Sequence, residues 1–185
     1  MSRPGAWQAG VSLAEMLVVV AVLAVAATIA VPSADVVSPA VADAAASQVA
    51  EAMRFARREA LRTRTYHVVR LDPAAQTLRV YRLRTSGPVA EDTANPVKHP
   101  VDRRTYLINF SKDPAAATIV GAVFRYQNGA TTNYASFGPD GAPADIHGWL
   151  LKDVDPLKNE GVVTIRRGNA ERTVRLAPVT GRVTL

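Results

Sequence analysis

The sequence predicts an α+β protein, with a long N-terminal helix followed by an antiparallel β-sheet domain. Three observations carry this. Residues 11–31 are apolar except for Ser12, Glu15 and Thr28. Apolar residues then recur at steps of four and three from Ala42 to Ala60, the spacing of one helix face. From Thr65 onward the pattern turns to period two, interrupted by Pro, Gly and Asn, as in strands joined by turns. A chain of 185 residues has room for one such apolar segment and one domain with its own core.

Composition narrows the class. Hydrophobic residues make up 48% and charged residues 21%, the balance of a folded chain rather than a disordered one. The net charge of +6 favours anionic partners such as nucleic acid or anionic lipid headgroups. The absence of cysteine excludes disulfides, thiolate metal sites and cysteine nucleophiles.

The first element is the apolar run. As a helix, residues 11–31 span about 30 Å, the thickness of a bilayer core. Pro32 follows and would kink or end the regular helix. Glu15 is the run's one charge, and a carboxylate in such a segment is costly enough to demand a functional reason. Three readings compete. A plain anchor leaves Glu15 unexplained. A secretory signal finds a small-residue site at Ala40-Val41-Ala42, in which case the rest would be a periplasmic domain cut free of the apolar run. Against that, the head of the chain has a single basic residue, Arg3, and the run is longer than a usual signal core.

The third reading accounts for every feature. Gly10-Val11-Ser12-Leu13-Ala14-Glu15 resembles the leader junction of type IV pilins and pseudopilins. That resemblance implies cleavage by prepilin peptidase after Gly10, N-methylation of Val11, and an assembly role for Glu15 as fifth residue of the mature chain. It also implies that Pro32 is the family's helix-loosening proline. Two residues depart from the usual pattern: Val11 stands where phenylalanine is common, and Ala14 where isoleucine is. The chemistry is coherent, because a new amine at Val11 and the Glu15 carboxylate are each poorly solvated alone in lipid. Pairing them between neighbouring subunits relieves both and sets the stagger.

A short Ser/Pro stretch, residues 33–39, is expected before the amphipathic helix. Ala42, Ala46, Val49, Met53, Ala56 and Ala60 form its apolar face, while Arg54, Arg57, Arg58 and Arg62 lie mostly off it and are expected to be solvated. Strands are expected at 66–71 and 77–83 around an Asp72-Pro73-Ala74-Ala75 turn, then a surface loop at 86–102. Further strands fall at 104–110, 118–126 and 134–137. Gly138-Pro139-Asp140-Gly141 is a strong turn. Strands at 162–167 and 172–176 flank Gly168-Asn169, and 182–185 ends the chain.

This order, with the segments SFGPDGAP, ARREALR and LAPVTGRVTL, resembles the GspH/FimT family of minor pilins and pseudopilins. The resemblance divides the chain into a leader (1–10), a transmembrane and assembly helix (11–32), its amphipathic continuation (33–64) and a β-rich domain (65–185). It implies a single-pass inner-membrane precursor with its C-terminal domain in the periplasm. Its partners would be prepilin peptidase and other pilin subunits, in a type II secretion pseudopilus or a type IV pilus. Some members of the family bind DNA through a C-terminal Gly-Arg-x-Arg motif. Here Gly181-Arg182-Val183-Thr184 lacks the second arginine, yet Arg166, Arg167, Arg172, Arg175 and Arg182 cluster in the last strands. DNA contact needs several of them on one face. No cofactor, metal site or catalytic group is expected. His67, His99 and His147 lack metal spacing, and Asp153-Val154-Asp155 opens like a calcium loop but fails its later positions.

Overall fold

The computed structural model describes residues 12–30, 34–84, 86–112, 117–147 and 153–185, with residues 26–30 and 34–38 described by their backbone alone. Helix α1 is Leu13–Ala30 and helix α2 is Ala34–Thr63. The strands follow as β1 (His67–Asp72), β2 (Thr77–Arg82), β3 (Leu107–Asn109), β4 (Thr118–Arg125), β5 (Thr131–Thr132), β6 (Tyr134–Phe137), β7 (Ala144–His147), β8 (Asp153–Pro156), β9 (Gly161–Arg167), β10 (Ala170–Leu176) and β11 (Val183–Thr184). The chain divides into two compact units, Met1–Val37 and Ser38–Leu185. Gly10, Val11 and Pro32 lie outside the described residues.

The second unit is antiparallel throughout. One sheet runs β3-β2-β1-β6, a second β11-β10-β9-β4-β5, and β7 pairs with β8. A single core joins them. Val49, Met53, Ala56 and Ala60 of α2, Val69, Leu71, Leu78 and Phe137 of the first sheet, and Ile119, Phe124, Val163, Ile165 and Leu176 of the second are all buried in it. The apolar stripe read from Ala42 to Ala60 is therefore the buried face of α2. Ala45, Ala50 and Ala52 widen it, and these small side chains let the sheets approach the helix axis closely.

Several local expectations are corrected. α2 begins at Ala34 and contains Pro39, so residues 34–39 belong to the helix rather than to a connector before it. Pro39 is the sixth residue of α2, past the first turn, so it removes the bond that an amide there would make to the carbonyl of residue 35. Residues 104–110 do not form one strand. Thr105 makes only an isolated bridge to Lys98, β3 is three residues long, and Phe110 turns inward to be buried. The first hairpin turn is shifted by one residue, because Asp72 stays in β1 and its Oδ1 accepts the amides of Ala74 (2.9 Å) and Ala75 (3.0 Å). Asp153 and Asp155, which open like a calcium loop in the sequence, belong to strand β8.

Candidate functional site

The end of α1 is built by Ser12. Its Oγ accepts the amide of Ala14 at 3.3 Å, and its carbonyl accepts those of Glu15 (3.0 Å) and Met16 (3.2 Å). Ser12-x-x-Glu15 thus has the spacing of a helix-capping box, a signal that is present in the sequence itself. It places the Glu15 carboxylate at the positive end of the helix dipole. The helix behind it has no polar face. From Leu13 to Val25 the large apolar side chains are 49–80% exposed. Helices apolar all round belong inside a large core or a membrane. Among the described residues no helix is long and apolar enough to cross a membrane. The described side chains of α1 end at Val25, about 20 Å of helix at 1.5 Å per residue.

The arginines of α2 are not simply solvated. Arg57 Nε donates to the Gly141 carbonyl at 3.1 Å and Arg54 to the Val183 carbonyl at 3.2 Å. The Gly138–Gly141 turn is closed by a 2.8 Å bond from the Gly141 amide to the Gly138 carbonyl. It serves as the seat on which α2 docks. Arg62 pairs with Glu59, which holds that carboxyl below its ordinary range.

The five C-terminal arginines separate. Strand alternation puts Arg166 and Arg175 on the outward face of the second sheet, with Val163, Ile165, Val174 and Leu176 facing the core. Arg167 and Arg172 have the opposite parity, and Arg182 is exposed ahead of β11. Arg166 pairs with Glu171 at 2.9 Å, Arg175 with Glu160 at 2.8 Å, and Arg172 with Asp43 of α2. Three of the five charges are therefore matched locally, and the cluster does not project as one cationic face.

His67 is buried at 2% exposure, its Nδ1 donating to the Thr65 carbonyl at 3.1 Å. Burial pushes its pKa down. His99 and His147 lie elsewhere, 3.5 Å from Asp102 and 3.7 Å from Asp155. Among the described residues no group of histidines and carboxylates is placed to hold a metal ion.

Residues 45–180 match the family described as type II transport protein GspH. Two solved structures are similar. The minor pseudopilin EpsH from the type 2 secretion system of Vibrio cholerae has 13% identity and a TM-score of 0.48, over 78% of this chain and 94% of that one. The type IV minor pilin FimU of Pseudomonas aeruginosa has 14% identity and a TM-score of 0.42, over 77% and 86%. No curated protein matches the chain significantly.

Proposed function

The chain belongs to the family of type II transport protein GspH, and from that premise we propose that it is a minor pilin or pseudopilin subunit processed by prepilin peptidase. Cleavage follows Gly10, and the new N-terminus, Val11, is methylated. The helix from Val11 onward holds the precursor in the inner membrane, with the β-rich domain on the periplasmic side. Assembly into a type II secretion pseudopilus or a type IV pilus then transfers the apolar helix from lipid to a bundle of identical or related helices.

The observation that carries this reading is α1 itself, whose described side chains, from Leu13 to Val25, are exposed and apolar around the helix apart from a single carboxylate in its first turn. Such a surface needs lipid or other helices around it. Removing residues 1–10 creates an amine four positions before Glu15. The amine of one subunit and the Glu15 carboxylate of its neighbour form the one polar contact in an otherwise apolar interface. That pair acts as a registry device, since only one stagger satisfies both charges. The work of the subunit is assembly, not catalysis.

The test is the intact mass of the protein expressed with and without a prepilin peptidase. Loss of residues 1–10 with one added methyl group is the expected result. An unchanged mass, or a cut after Ala42, would overturn the reading. Glu15→Val should leave cleavage intact while abolishing recovery of the subunit with its filament.

A further inference from the structure

On the outward face of the β3-β2-β1-β6 sheet, the strand registers set Tyr81, Val68 and Ser136 in one rank and Arg79, Arg70 and Tyr134 in the next. The segment after β2 walls this face with Leu83, Val89 and Glu91, and β7 adds Ile146, enclosing a pocket of about 280 Å³. Its floor is apolar, for Val68, Leu83 and Ile146 form a small buried cluster separate from the main core. Its rim is cationic. Arg70 and Arg79 are direct cross-strand partners, and like charges in that position repel. Glu91 relieves one of them, pairing with Arg79 at 2.6 Å. Arg70 makes no ion pair with any described residue. Its guanidinium lies 5.7 Å from the Tyr134 ring centroid, as that of Arg79 lies 5.9 Å from Tyr81.

The nearby carboxylates are already committed. Asp72 accepts two amides of its own turn. Asp145 is buried and accepts from the Tyr134 hydroxyl at 2.8 Å, from Asn128 Nδ2 at 3.0 Å and from the Ile146 amide at 3.0 Å. Those bonds hold the Tyr134 ring in place as a wall beside Arg70. What remains is one guanidinium, that of Arg70, with no carboxylate partner among the described residues, held on β1 at the edge of a hollow with an apolar floor.

We propose that this pocket binds an acidic, partly apolar peptide segment of a partner protein, with one carboxylate on Arg70 and a neighbouring aliphatic side chain on the floor of Val68, Leu83 and Ile146. A carboxylate can meet a guanidinium through two parallel hydrogen bonds, and it would also offset the repulsion between Arg70 and Arg79. A nucleic acid fits less well. Its phosphates need a track of unpaired cations, and here the Glu91 carboxylate sits on the rim beside Arg70, the one arginine of the lining with no carboxylate partner among the described residues.

The test is isothermal titration of the full-length protein in dodecyl maltoside micelles. The ligands are acetyl-Leu-Glu-Leu-amide, its neutral Gln analogue and a short oligothymidylate. The acidic peptide should bind and the neutral one should not. Arg70→Gln should weaken the acidic peptide about tenfold or more, and Tyr81→Ala, which leaves every charge in place, should weaken it as well. A thermal melt of each variant separates lost binding from lost folding. Equal binding of the two peptides, an unaffected Arg70→Gln, or no binding at all would overturn the proposal. Binding of the oligothymidylate alone would replace it with a nucleic-acid surface. The titration requires neither leader cleavage nor filament assembly, so its failure is distinct from failure of the subunit reading.

Discussion

His67 is the residue whose burial has the clearest consequence in solution. Desolvation lowers its pKa in the folded protein. Below about pH 6.5, the unfolded chain takes up a proton that the folded one resists. Stability is thus fully present above that pH and declines as the pH falls toward the folded value. The melting temperature should drop between pH 7.5 and 5.5, and His67→Gln should flatten that slope even if it lowers the baseline. The assembly role proposed for Glu15 rests on the resemblance of residues 10–15 to a pilin leader junction. The S-x-x-E spacing that begins at Ser12 was equally legible, and the structure shows its serine half, the Ser12 Oγ accepting the Ala14 amide.

At the scale of elements, α2 is fastened to the sheets in two ways of unequal strength. Arg57 reaches a backbone carbonyl, that of Gly141, at 3.1 Å in a part-buried setting. Arg172 meets Asp43 with both side chains well exposed, at 40% and 57%. Removing a partner from a desolvated carbonyl costs about 1–3 kcal/mol, whereas exposed ion pairs contribute about 0–1 kcal/mol. Arg57→Ala should therefore destabilise the domain more than Arg172→Ala in denaturant melts. Gly181 belongs to the same junction. Its φ is +62°, and a Cβ there would sit 2.6 Å from the Gly141 carbonyl oxygen and 3.2 Å from Arg57 Nε. Gly181→Ala should cost about 1–3 kcal/mol through backbone strain and displacement of the helix seat. The strong turn at Gly138–Gly141 was visible from its residue types. That it receives α2 was not, because nothing local couples a turn to a helix 80 positions earlier.

At the scale of the molecule, the second unit carries the core. Met53 is fully buried in it, so Met53→Ala should cost about 2–5 kcal/mol. A chain lacking residues 1–37 should still melt cooperatively, with a midpoint near that of the full chain. A broad, non-cooperative melt would show that the unit boundary at Val37 and Ser38 is wrong. By itself the sequence determined the α+β class, the apolar character of residues 11–31, the buried stripe of α2 and the longer strands, because each is a periodicity written in adjacent residues. It also carried the Gly10, Val11 and Glu15 motif, a local pattern. Tertiary structure alone decided the shape of the remainder. It turned Asp153 and Asp155 into strand β8, split the expected strand at 104–110, and matched three of the five C-terminal arginines with carboxylates, one of them more than a hundred positions away on α2. It also set Arg70 beside Arg79 and left only one of them paired. Short strands, and ion pairs such as Arg172 with Asp43, are chosen by partners distant in sequence, and those partners meet only when the chain has closed around its core.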